Sequence, residues 1–115
     1  MKTIKDESFE IQQQEDAPKV CFKGALRLSG AADYTPILEM LMGLLADTQR
    51  PIVLDLRDLE FLNSSGITMF SRFVIAARDR QEANLEFIAS EKNPWHARSL
   101  KNLQRLMPEL VVRLM

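Results

Sequence analysis

The sequence offers one cysteine, Cys21, one histidine, His96, and a serine pair set before a glycine in Asn63-Ser64-Ser65-Gly66-Ile67. A lone cysteine has no second thiol for a disulfide or a CxxC pair, and no neighbour in sequence supplies the base or cation that lowers a thiol pKa. Cys21 therefore reads as structural. One histidine and one cysteine cannot furnish a zinc site without several carboxylates, and no Gly-x-x-x-x-Gly-Lys loop cradles a nucleotide. Neither a metal nor a cofactor is expected. Ser64-x-Gly66 supplies the trailing half of the Gly-x-Ser-x-Gly nucleophile elbow, but Leu62 stands where the leading glycine belongs. His96, beside Trp95 in the first turn of a later helix, has no acidic residue nearby to orient it, so it reads as packed or solvated. A serine hydrolase is rejected, and no enzyme is expected.

A different chemistry fits Ser64. Asn63 or Ser64 can cap a helix that follows, and the unsatisfied backbone N–H groups of a first helical turn favour an anion. A phosphate on Ser64 adds roughly −1.5 to −2 charge there without breaking the helix. Such a modification changes a docking surface more than a fold.

The elements that must position this turn follow from periodicity. Phe9 and Ile11 alternate with polar neighbours, and after a break at Glu15-Asp16-Ala17-Pro18 the run Val20, Phe22, Gly24, Leu26, Leu28 keeps a period of two. Two antiparallel strands are expected, with Cys21, Lys23, Ala25 and Arg27 on the less apolar face. Thr35-Pro36 predicts the start of a first helix that runs to about Asp47, along which Ile37, Leu38, Leu41, Leu44 and Leu45 recur at helical spacing. Pro51 to Leu56 is a nearly continuous apolar run, expected as the central strand. From Ile67 the residues Phe70, Phe73, Val74 and Ala77 fall on the inward face of the helix that this turn opens, with Thr68, Arg72 and Asp79 outward, and that second helix is expected to end near Arg80. Met69 and Ile75 fall off that core face. Leu85 to Ala89 predicts a strand, Asn93-Pro94 opens a helix carrying Leu100, Leu103 and Met107 inward, and Val111 to Leu114 is a last strand. Arg98, Lys101 and Arg105 line the outer face of that helix, expected as a solvated stripe or a contact for an acidic partner. The result is an α/β fold, a single-layer mixed β-sheet with right-handed helical crossovers.

Fifteen Lys plus Arg balance sixteen Asp plus Glu, a net charge of −1, so no global field attracts nucleic acid or an anionic membrane. No stretch approaches the ~18 apolar residues of a membrane span, and the N-terminus lacks the apolar run of a secretory signal. A cytoplasmic location is expected.

The stretch from Ile52 to Ile67 resembles the STAS domains, shared by sulfate transporters and bacterial anti-sigma factor antagonists. Asp55-Leu56, Phe61-Leu62 and Ser64-Ser65-Gly66-Ile67 match the family pattern in order and spacing, and Phe22-Lys23-Gly24-Ala25-Leu26 looks like its second strand. Asn63 replaces the family's acidic residue before the serine, and Arg27 reverses a family carboxylate. The resemblance spans nearly the whole chain and implies one stand-alone STAS domain over residues 1–115. It further implies a bacterial partner-switching module in transcription regulation, a monomer or weak dimer, phosphorylated at Ser64. The surface it implies for a protein partner comprises Asn63, Ser64, Ser65, Gly66, Thr68, Met69 and Arg72. The partner implied is an anti-sigma factor, or a serine kinase or phosphatase of such a pathway. The alternative is a ligand sensor that holds a nucleotide or small anion at the same helix start.

Overall fold

A computed structural model describes residues 2–14, 17–47, 51–80 and 84–115. Along the chain run β1 (Lys2–Lys5), β2 (Phe9–Gln13), β3 (Lys19–Leu26), α1 (Gly30–Asp47), β4 (Ile52–Leu62), α2 (Ser64–Asp79), β5 (Leu85–Ala89), α3 (Pro94–Leu106) and β6 (Val111–Leu114). The sheet keeps chain order, β1-β2-β3-β4-β5-β6. β1, β2 and β3 pair antiparallel, whereas β3, β4, β5 and β6 pair parallel. Since each parallel crossover advances the sheet in one direction, right-handed connections carry all the helices to one face. There α2 packs on both α1 and α3.

Alternation along the strands sorts the faces. Ile11, Phe22, Leu54 and Phe87 are fully buried beneath the helices, and Phe70 of α2 meets Phe22 and Phe87 edge-on at centroid distances of 5.3 and 5.8 Å. Neighbouring strands put Glu10 opposite Lys23, Gln12 opposite Cys21 and Cys21 opposite Asp55 on the uncovered face. Cys21 is half-buried there, and burial, then the Asp55 charge, raises its pKa. The thiol is thus held protonated rather than activated. Asp55 itself pairs with Arg57 at 2.8 Å. Burial opposes its charge, but the Arg57 hydrogen bonds outweigh that and hold its carboxyl below the ordinary value.

Several expectations hold. β5, β6 and the proline start of α3 lie where the pattern put them, and Phe70, Phe73, Val74 and Ala77 form the buried face of α2. Arg98, Lys101 and Arg105 are exposed. The break read at 15–18 lies partly outside the described residues, at 15 and 16.

Four expectations are corrected. β1 adds an antiparallel edge strand that Ile4 alone, among lysines and a threonine, was too weak to announce. α1 begins at Gly30, not Thr35, and Pro36 sits inside it, over the exposed Ala32 whose carbonyl loses its intrahelical partner to solvent. β4 runs to Leu62, because register shifts against β3 between Cys21/Lys23 and Gly24/Ala25 swing Arg57 and Asp58 outward and return Leu59 to the core. Across that irregular stretch Gly24 takes φ +89°, and a Cβ there would lie 2.2 Å from the Ser8 carbonyl oxygen. Finally, Met69 is buried, only 3% exposed, because α1 packs over the side of α2 that the core pattern left free.

Candidate functional site

The Ser64 turn stands at the carboxyl end of β4, where open α/β sheets present their loops. Asn63 organises it. Its Oδ1 accepts from Gly66 N at 3.0 Å, capping α2, and from the Tyr34 hydroxyl of α1 at 2.7 Å. Its Nδ2 donates to the Leu28 carbonyl at 2.9 Å, and its backbone N–H donates to the Leu26 carbonyl at 3.1 Å. One residue, through its side chain and its backbone N–H, therefore ties the end of β3, the entry to α1 and the start of α2 together. Burial raises the Tyr34 phenol's pKa, which keeps it a donor. Gly66 completes the fit, since a Cβ there would meet Leu62 Cδ1 at 2.3 Å and the Tyr34 hydroxyl at 2.9 Å.

On this fixed base Ser64 is exposed at the first residue of α2. Among the described residues its hydroxyl has no partner, while its carbonyl accepts from Thr68 Oγ1 at 3.0 Å. No acidic residue lies in the first turn of α2. The helix dipole and the uncapped N–H groups are thus unopposed by a carboxylate on that turn. Thr68 and Arg72 follow Ser64 at four-residue spacing along the outer face, both exposed.

Beside them runs a cleft of about 100 Å³ between α1 and α2. Ser65, Thr68, Met69 and Arg72 form one wall, and Ala31, Tyr34, Thr35 and Leu38 the other. The site residues expected from the sequence thus divide by position. Ser64, Thr68 and Arg72 are exposed; Ser65 is half-buried at the cleft. Asn63 is half-buried with its side chain engaged, Gly66 is buried, and Met69 reaches the surface only as part of the cleft wall. The α1 wall was missed, although 31, 34, 35 and 38 keep helical spacing and would have been read as one stripe had the helix been started at Gly30.

Arg27 lies in the stretch between the two carbonyls that Asn63 holds, and its guanidinium sits 4.8 Å above the ring of the exposed Phe61. His96 is fully buried: Nδ1 accepts from Ser90 N at 3.0 Å and Nε2–H donates to the Leu59 carbonyl at 2.8 Å. Burial pushes its pKa below the usual value, although the Leu59 contact favours the protonated ring. With both nitrogens engaged by backbone, His96 offers no free base to a serine. Among the described residues no group of three or more His, Cys, Asp and Glu converges on a metal position, and no helix is long and apolar enough to cross a membrane.

A scan against protein-family models finds no match, and a search of curated proteins finds none. Solved structures match the whole fold. A chain in the crystal structure of the diguanylate cyclase SiaD in complex with its activator SiaC from Pseudomonas aeruginosa aligns with TM-score 0.75 and 19% identity, over 100% of both chains. Apo-SiaC from the same organism aligns with TM-score 0.71 and 15% identity, over 98% of this chain and 99% of that one. A further structure of SiaC gives TM-score 0.69 and 17% identity over 100% of each. The mixed six-stranded sheet with its helices is the SiaC fold.

Proposed function

We propose that this chain is a non-enzymatic signalling module of the bacterial cytoplasm that docks on a protein partner through the Ser64 turn and α2, and that phosphorylation of Ser64 weakens the contact. One observation carries the reading: capping of α2 falls to Asn63, leaving the Ser64 hydroxyl exposed and, among the described residues, unpartnered on a fixed turn. A serine relieved of structural duty can take a phosphate without cost to the fold. The motif's likeness to STAS domains suggests an anti-sigma factor, or a kinase or phosphatase of a partner-switching pathway. The likeness to SiaC, itself the activator of a diguanylate cyclase, supports a protein partner more broadly and sets signalling enzymes beside the anti-sigma class. The ligand-sensing alternative has weaker support, because a cleft of about 100 Å³ falls well short of the ~300 to 1,000 Å³ of ordinary ligand pockets.

The test is a pull-down from lysate with wild-type, Ser64→Ala and Ser64→Asp baits. A protein held by wild type and Ala and released by Asp supports the switch. Partners indifferent to residue 64 contradict it.

A further inference from the structure

The α1–α2 cleft says what the partner presents. Its floor is apolar, from Leu38 on α1 and Met69 on α2, and its volume of about 100 Å³ suits one aliphatic side chain rather than a free metabolite. The charge along it is one-sided. Arg72 is the sole charged residue of the lining, is exposed, and has no acidic partner among the described residues. The nearest α1 carboxylates are turned elsewhere: Glu39 lines a separate cleft with Pro36 and Met40, and Asp33 lies off the stripe formed by 31, 34, 35 and 38. Ser65 and Thr68 place the Ser64 end of α2 on the rim of the same cleft.

Resting on the docking function proposed above, we infer that the partner seats one aliphatic side chain in the α1–α2 cleft and sets a neighbouring carboxylate on Arg72. A guanidinium holds a carboxylate through paired N–H donors, and an apolar anchor in a close-fitting pocket supplies the affinity. α1 is then as much a part of the interface as α2. The same geometry explains how a phosphate on Ser64 acts: Ser64 lies eight residues, about 12 Å along the helix axis, from Arg72. Negative charge at that end opposes an acidic segment drawn to the other.

A phage-displayed library of random peptides, selected on the full-length chain, tests this. Enriched peptides should combine one Leu, Met or Ile with a nearby Asp or Glu. Their affinity should fall by about tenfold or more in Arg72→Glu and in Ala31→Trp, which fills the cleft from an exposed helical position, and by less in Ser64→Asp. Melting temperatures equal to wild type exclude misfolding of either variant as the cause. Peptides without acidic residues, or peptides indifferent to both variants, overturn the inference. If such indifference accompanies a pull-down partner that still responds to residue 64, the cleft assignment falls and the docking function stands. If the cleft variants lose binding while residue 64 leaves every partner unmoved, the cleft assignment stands and the switch falls.

Discussion

Two helices of this molecule follow an asparagine, and the two asparagines do different work. Asn63 caps α2 and also holds Tyr34 and Leu28, so its side chain joins three segments. Asn93 precedes α3 without any side-chain cap bond. α3 is instead pinned by the two residues after its proline: His96 to Leu59 and Ser90, and Trp95 Nε1 to the Glu60 carbonyl at 3.0 Å. Both anchors of α3 grip the irregular stretch of β4, at Leu59 and Glu60. The difference shows that a helix start is secured by whatever can reach a neighbouring element, and that residue type at the cap position does not decide it. It also frees different groups. At α2 the locked asparagine leaves Ser64 exposed, whereas at α3 the side chains best able to do chemistry are the ones tied down.

The comparison breaks most visibly at His96. His96→Ala leaves the Leu59 carbonyl and the Ser90 N–H unpaired around a cavity, and should cost about 3 kcal/mol of unfolding free energy, measured by denaturant titration. A loss under about 1 kcal/mol would mean that α3 is held elsewhere. The same histidine gives this end of the fold a pH dependence on the acid side that the Asn63 end lacks. Its folded-state pKa lies below the ordinary 6.5, so the unfolded chain takes the proton more readily. The stabilisation is complete above about pH 6.5 and is lost as pH falls from there through the folded-state value. Hydrogen exchange should therefore show α3 loosening on acidification before the start of α2 does. Equal response at both ends would erase the distinction.

Next in size is Asn63. Asn63→Ala removes the cap and strands the Tyr34 hydroxyl, at a cost of about 2 kcal/mol. Asn63→Asp looks favourable from sequence, since a carboxylate suits a helix N-terminus. The structure reverses that expectation: Asp keeps the bonds from Gly66 and Tyr34 but turns an oxygen toward the Leu28 carbonyl where Nδ2 now donates. A net loss of about 1 kcal/mol is expected. Thermal melting of the variant checks it, and a gain in stability would mean that the Leu28 contact is dispensable.

The smallest effect belongs to Asn93. Asn93→Ala should change stability by no more than about 0.5 kcal/mol, as for a surface position. A larger loss would show that its side chain does cap α3.

What could be read from sequence was set by local pattern. The buried face of α2 and the limits of β5 and β6 follow from residues near one another in the chain, where period alone decides. The Ser64 turn was legible because its residue types carry their own chemistry. What escaped depends on tertiary partners. Asn63 could be seen as a cap but not as the acceptor for Tyr34, 29 residues away. β4 seemed to stop at Leu56 because its bulges break a period-two pattern. Pro36 masked the true start of α1, and with it the stripe that completes the cleft. Met69 falls off the core face in the sequence pattern yet is buried, since the approach of α1 to α2 leaves no mark in the periodicity of α2 alone.

The central claim is that Ser64 can carry a phosphate on an unchanged fold and thereby alter what the surface binds. Incorporating phosphoserine at position 64 during synthesis and recording an amide NMR spectrum beside a thermal melt tests it directly. The account predicts shifts confined to the first turn of α2 and the residues around the cleft, a melting temperature within a few degrees of the unmodified chain, and release of the protein that the unmodified chain retains. Shifts spread through the core with a collapsed melting temperature, or a partner held equally by both forms, would contradict it.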